Sequence, residues 1–177
     1  KLRRPIKITN DGSAHLAGMK KLTYLEVLYT RLTDGALAHL AAAKKLRLLD
    51  ARGCKITDAG LAHLANVPSL VSLKLRSVAI SDEGVKHLAP LKKLRGLALE
   101  DSKVSREGLK TIGQLTSRDD LNLLRAPIDD DGLAHLASLN NMRTLMLRDT
   151  YITGEGLKHL QSMPKLRQLD VSETGVG

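Results

Sequence analysis

The chain has 177 residues, 42% of them hydrophobic, which suits one domain with a buried core or one short repeat array. It has no Phe, no Trp, three Tyr and a single cysteine, Cys54, so an internal disulfide is excluded and the core must be aliphatic. No apolar run reaches about 18 residues, so the sequence predicts no membrane-spanning helix. The net charge of +9 at pH 7 raises the question of an anionic partner.

The sequence repeats every 24 residues over its whole length. Its six histidines are spaced by 24, except for one step of 48 across the position of Thr111. They are His15, His39, His63, His87, His135 and His159. A second column, also spaced by 24, is aliphatic throughout. It contains Ile8, Leu32, Ile56, Ile80, Val104, Ile128, Ile152 and Val176. A constant period without insertions predicts a stack of equal units.

The pattern of each unit predicts a strand, then a turn and then a short helix. The segment LVSLKL at 70–75 ends in the alternation of a strand with one buried side. After the turn SVAISD, Val85, Leu88 and Leu91 recur at helical spacing. Hydroxyl residues that suit helix N-caps are Thr57, Ser81, Ser105 and Thr153.

One strand and one two-turn helix cannot bury their own apolar faces, so neighbouring units must stack. Parallel strands stack about 4.8 Å apart, whereas helices need about 8–10 Å, and this mismatch predicts an arc with concave strands. The predicted fold is a right-handed β/α superhelix of the α/β class, with residues 1–177 forming one domain of about seven coils. Val78 and Ala126 lack a side-chain donor or acceptor in the turn column, so we expect a less regular ladder there.

The unit LRLLDARGCKITDAGLAHL at 46–64 resembles a leucine-rich repeat of the ITD-x-GL type. This type is similar to bacterial, planctomycete-like repeats and to the cysteine-containing repeats of ubiquitin-ligase substrate receptors. The resemblance is specific for the fold, and in this architecture it implies a protein-binding module. The sequence has no nucleophile elbow, phosphate loop, metal-ligand spacing or paired catalytic carboxylates, so we expect no catalysis, cofactor or metal. The first residue is Lys1 and the end SETGVG stops in mid-pattern, so we expect a fragment of a longer chain. One cysteine and no signal peptide are compatible with the cytoplasm, without assigning a compartment.

The histidine column has three interpretations: structural spacers, a pH-sensitive element, or a metal site. Zinc takes four ligands at about 2.0–2.1 Å, whereas equivalent histidines on neighbouring helices lie about 8–10 Å apart. Spacing therefore favours the structural interpretation, and we predict no catalytic or metal-binding residue.

The strand positions that point away from the core vary from unit to unit, and they are the candidate partner-binding surface. The predicted residues are Tyr24, Leu28, Tyr29, Leu48, Arg52, Lys74, Arg76, Glu100, Asn122, Leu124, Met146 and Arg148. For the tyrosine cluster a second interpretation stays open, in which it covers an open end of the solenoid.

Charge does not favour a nucleic-acid partner. The strand segments and their ends carry nine Lys or Arg and nine Asp or Glu, so this face is neutral overall. Seven lysines of the helix-to-strand turns, which we call the lysine rim, leave anionic-ligand binding as an alternative. They are Lys20, Lys21, Lys44, Lys45, Lys92, Lys93 and Lys165.

Residues 106–127 depart from the repeat at several positions. Arg106 replaces Asp, and Arg118 replaces the first core Leu. Two interpretations stay open for this segment: sequence drift, with the Arg118 head extending to water, or a bend that docks a partner.

Overall fold

A computed structural model of the chain describes residues 10–177 and shows a seven-stranded parallel sheet. The strands follow one another in chain order across the sheet. They are β1 (Tyr24–Glu26), β2 (Leu48–Asp50), β3 (Ser72–Arg76), β4 (Gly96–Glu100), β5 (Asp120–Asn122), β6 (Thr144–Met146) and β7 (Gln168–Asp170). Ile8 and the basic start of the chain lie outside the described residues.

Short helices connect the strands on the other side of the core. The α-helices are α1 (Asn10–Ala14), α2 (Asp34–Leu40), α3 (Asp58–Leu64), α4 (Asp82–Lys86), α5 (Arg106–Gly113) and α6 (Asp130–Ala134). Two 3-10 helices, His15–Gly18 and Gly156–Ser162, complete the set within the described part of the chain. We number the coils from 1 to 7 by their strands, each coil beginning at the turn before its strand.

The 24-residue period sets the strand register. Leu49 pairs with Leu73, and every other paired residue of the sheet likewise meets the residue 24 positions on. The Leu columns behind the sheet are fully buried in the central coils, as at Leu73 and Leu121. The predicted α/β superhelix, with a concave parallel sheet and convex helices, is confirmed.

Aspartates at the helix starts connect neighbouring coils. Thr57, Ser81 and Ser105 cap their helices as predicted, each accepting a hydrogen bond from the backbone N–H two residues on. The Asp58 carboxylate, in turn, accepts bonds from the Ser81 N–H (2.8 Å) and hydroxyl (2.6 Å) of the next coil. Asp34, Asp82 and Asp130 repeat this arrangement with Thr57, Ser105 and Thr153. Each Asp therefore fixes the helix start of the following coil.

The turn after each strand normally contains a residue in the left-handed backbone region. Ser77 alone departs from this among the seven described turns, and the adjacent Val78 is 66% exposed. The Ser77 hydroxyl instead donates to the Ile56 carbonyl (2.7 Å) and accepts from Ala79 N–H (3.2 Å), so it bridges the gap in the ladder. The expected irregularity is thus confirmed at Val78. At Ala126 the turn keeps a positive φ at Arg125 (58°), but the ladder is again irregular. Pro127 has no N–H to donate to Val104, whereas Lys103 and Tyr151 each donate to the carbonyl 23 residues earlier.

Candidate functional site

A polar cluster occupies the centre of the concave face. The Arg52 guanidinium donates to both carboxylate oxygens of the buried Asp50, at 3.0 and 2.8 Å, and reaches Glu100 at 3.5 Å. Glu100, only 8% exposed, also accepts from the Asn122 amide (3.2 Å). The hydrogen bond to Asp50 raises the pKa of Arg52 further above its ordinary value, so its charge is permanent. The cluster ties β2, β4 and β5 together and holds their side chains in fixed positions.

A shallow depression lies beside this cluster because two small residues, Gly96 and Ala98, occupy β4. Its volume is about 100 Å³, and its walls include Lys74, Asp120 and Met146. Desolvation raises the pKa of the Asp120 carboxyl, while the positive charge of Lys74 opposes this effect. A side chain entering the depression would meet a cation and an anion, neither of which has an ion-pair partner within the described residues.

The strand-to-helix edge carries a second group of predicted residues. The Tyr29 ring lies against Gly53, where a Cβ would overlap it. Arg76 and Arg125 both pair with the Asp101 carboxylate. The hydrogen bond from Arg125, followed by that from Arg76, lowers the pKa of Asp101. A cavity of about 420 Å³ opens between Tyr29 and the exposed Val78.

The twelve predicted residues thus fall into three groups. Arg52, Glu100 and Asn122 join in the central cluster, with Lys74 and Met146 lining the adjacent depression. At the first strands, Tyr24 (62% exposed) lies beside the half-buried Leu48 in the sheet register, with Leu28 (39% exposed) just beyond β1.

The remaining residues lie at or near the strand-to-helix edge. The backbone of Tyr29 is in the left-handed region (φ 53°), and this residue lies in the turn rather than on a strand. Arg148 is exposed and pairs with Glu173, whereas Leu124 is half-buried.

The prediction missed three residues that shape the face. Asp50 holds Arg52, Gly96 lines the depression, and Ser77 bonds to the preceding coil beside the exposed Val78. The glycine in an otherwise side-chain-bearing column was the available signal for Gly96. Asp50 contacts Arg52 two residues along the same coil, whereas the Ser77 hydroxyl bonds to Ile56 of the preceding coil, which no single unit reveals.

The histidines lie on the helix side, half-buried or exposed. Within the described residues no three His, Cys, Asp or Glu side chains are grouped as metal ligands. The backbone carbonyl of His135 approaches Gly113 so closely that a Cβ there would overlap it.

In the irregular segment 106–127, a second change compensates for Arg106, whereas nothing compensates for Arg118. Arg106 replaces the bridging Asp, and Asp129 replaces the Ser or Thr cap, so the pair bonds with reversed roles at 2.8 Å. The Arg106 hydrogen bond lowers the pKa of Asp129. The interpretation that Arg118 extends to water is wrong: its side chain is fully buried and its three nitrogens have no hydrogen-bond partner. Packed coils leave that side chain no route to the surface.

Comparison of the sequence with protein-family models and with curated proteins gives no match. Two solved structures from Listeria monocytogenes have a similar fold. Internalin C2 (inlC2) matches with TM-score 0.79 and 25% identity, over 98% of this chain and 70% of its own. An internalin (inlF) matches with TM-score 0.78 and 24% identity, over 93% of this chain and 45% of its own.

These likenesses identify the fold as a leucine-rich repeat solenoid. The chain spans less than half the length of the inlF structure. Among the helices of residues 10–177, none combines the length and apolar character needed to cross a bilayer.

Proposed function

We propose that the chain is a protein-recognition module that binds its partner on the concave strand face, without catalysis of its own. The observation that carries the proposal is the pre-positioned cluster of Arg52, Glu100 and Asn122 beside the depression at Gly96. Fixed polar groups beside a recess suit recognition because little side-chain freedom is lost on binding.

The tyrosine cluster supports the same face. Tyr24 is largely exposed and lies next to Leu48 on the paired strand, which gives an aromatic and aliphatic patch beside the polar centre. Aromatic residues are common binding anchors. The depression and this patch would together contact a partner that lies across the strands.

A more specific role extends this proposal: the arc selects the substrate of a bacterial effector or of a ubiquitin-ligase receptor. Its support is the ITD-x-GL repeat and the cysteine at position 54, whose thiol donates to the Val27 carbonyl at 3.0 Å. Flanking sequence that encodes a catalytic or ligase-binding segment would decide for this role.

The test is differential capture from an extract of the native cells, read by quantitative mass spectrometry. Lys74→Glu/Met146→Gln alters the concave face without touching an ion pair. Gln114→Glu/Gln161→Glu changes two exposed positions outside the strands and lowers the net charge equally. Arg52 is unsuitable for a charge reversal, because the new acidic side chain would lie beside Asp50 and Glu100 and repel both of them.

We call Lys74→Glu/Met146→Gln the concave variant and Gln114→Glu/Gln161→Glu the control variant. We expect the wild type and the control variant to capture at least one protein in equal amounts, and the concave variant not to capture it. Equal capture by all three proteins would contradict the concave site. Unchanged thermal unfolding of the variants shows that a loss is not due to misfolding.

A further inference from the structure

A cleft at the helix-to-strand edge is lined by cations from two coils. Its volume is about 420 Å³. The residues that line it, which we call the basic cleft, are Thr23, Lys44, Lys45, Arg47, Ser69, Val71 and Lys93. The lysine rim is therefore not uniform but contains a recess.

The recess arises because coil 3 lacks the lysines of its neighbours. Pro68 and Ser69 stand 24 residues after Lys44 and Lys45, and Lys92 and Lys93 follow 24 residues later. The Ser69 hydroxyl turns inward and donates to the Leu46 carbonyl at 2.7 Å. A short side chain held inward leaves open space between the cations of coils 2 and 4.

The four cations of the basic cleft have no anionic neighbour in its lining. Lys44 donates to the Asn66 carbonyl (2.9 Å), and no ion pair forms at Lys45, Arg47 or Lys93 among the described residues. Arg95, on the same edge, differs because it pairs with Asp119. Unpaired cations around a recess attract a ligand that carries more than one negative charge.

The size of the cleft limits that ligand. Coils 2 and 4 are two strand spacings apart, or about 10 Å, which is about three residues of an extended peptide. Beyond coil 4 the equivalent positions are neutral, as Thr116 and Ser117 and then Asn140 and Asn141. A long polyanion would therefore find no row of cations beyond coil 4, although Lys20 and Lys21 extend the row by one coil on the other side.

The cleft is continuous with the concave face. Arg47 directly precedes β2, and Val71 directly precedes β3. Val71 and the lysine stems add apolar contact that suits a peptide backbone and side chains. We infer that the basic cleft binds a short acidic segment of the same protein partner, an inference that rests on the proposed function.

The test measures the basic cleft by itself, by fluorescence anisotropy of a labelled hexaglutamate peptide at an ionic strength of about 20 mM. The cleft variant is Lys45→Gln/Lys93→Gln. The matched control is Lys165→Gln/Arg167→Gln, which removes two exposed cations from the same edge in coil 7, outside the cleft. We expect the cleft variant to bind about tenfold more weakly than the wild type and the control to bind within about twofold.

Two outcomes overturn the inference. One is an equal loss in both variants, which would indicate general charge attraction. The other is tighter, cleft-dependent binding of a heparin hexasaccharide, which would assign the cleft to a sulfated polysaccharide. The concave variant Lys74→Glu/Met146→Gln serves as a further control, since its hexaglutamate affinity should stay within about threefold of the wild type. Failure at the cleft is thereby distinguished from failure of the concave site.

Discussion

At the scale of single residues, Arg118 imposes the clearest cost on the fold. It stands where Leu94 and Met142 stand in the neighbouring coils, fully buried and without a hydrogen-bond partner. Burial lowers the pKa of Arg118 from its ordinary value to about 10. A difference of that size corresponds to about 3 kcal/mol against the charged, folded state at neutral pH. The coil therefore folds in spite of this residue.

Replacing Arg118 with Leu should stabilise the protein by about 2–3 kcal/mol, because it removes an unpaired charge and restores the core column. Urea unfolding at pH 7 measures the change. Arg143→Leu is the matched control, because Arg143 is exposed and makes no ion pair among the described residues, and its effect should stay within about 0.5 kcal/mol. Reduced stability of the Arg118 variant would show that the guanidinium has a partner at this position.

The pH dependence of the stability difference between the wild type and Arg118→Leu gives an independent check. Below about pH 10, Arg118 is charged in both states and the folded state carries the full cost. Between about pH 10 and 12, the unfolded chain keeps the proton while the folded chain releases it, so wild-type stability gains relative to the variant. The stability gap between Arg118→Leu and the wild type should therefore narrow as the pH rises above about 9. A gap that is constant up to about pH 11 would refute the buried, desolvated state.

At the scale of elements, the repeated glycine and aspartate form one device that joins each helix to the next. A Cβ on Gly84 would overlap the Asp58 carboxylate of the preceding coil, and Gly60, Gly108 and Gly156 meet Asp34, Asp82 and Asp130 in the same way. The ITD-x-G motif therefore combines a cap, an inter-coil acceptor and the space that the acceptor needs.

Gly84→Ala should destabilise the protein by about 1–3 kcal/mol, although Gly→Ala in a helix ordinarily stabilises by about 1 kcal/mol. The control Gly154→Ala has no atom near its new Cβ and should stay within about 0.5 kcal/mol. Combining Gly84→Ala with Asp58→Ala completes a double-mutant cycle by urea unfolding. The double variant should lose less than the sum of the single losses, because the overlap disappears with the carboxylate. Strict additivity would refute the coupling.

The sequence predicted these elements but not their connections. Constant spacing placed strands, caps and helices, since each depends on local pattern. The hydrogen bond that the Ser81 hydroxyl donates to Asp58 joins two coils, so neither unit reveals it alone. The same reason explains the exchange of roles at Arg106 and Asp129, which looks like two unrelated changes along the chain.

At the scale of the whole molecule, the period alone predicted the solenoid, because equal units with one apolar side can only stack. The candidate face followed from the variable columns, which Arg52, Glu100 and Asn122 occupy. The shape of this face could not be predicted from the sequence. The depression at Gly96 and the basic cleft at Ser69 both arise where a small residue stands between larger ones on neighbouring coils.

The central claim is that repeated residues hold the arc while the variable concave residues bind a protein partner. Site-specific photo-crosslinking tests it most directly, with benzoylphenylalanine placed at one position per variant in an extract of the native cells. Tyr24 and Met146 report on the concave face, and His87 and Gln161 report on the helix side. We expect a discrete protein adduct from Tyr24 or Met146 and none from the helix-side positions. Adducts from His87 or Gln161 alone would place the partner on the convex surface and contradict the account.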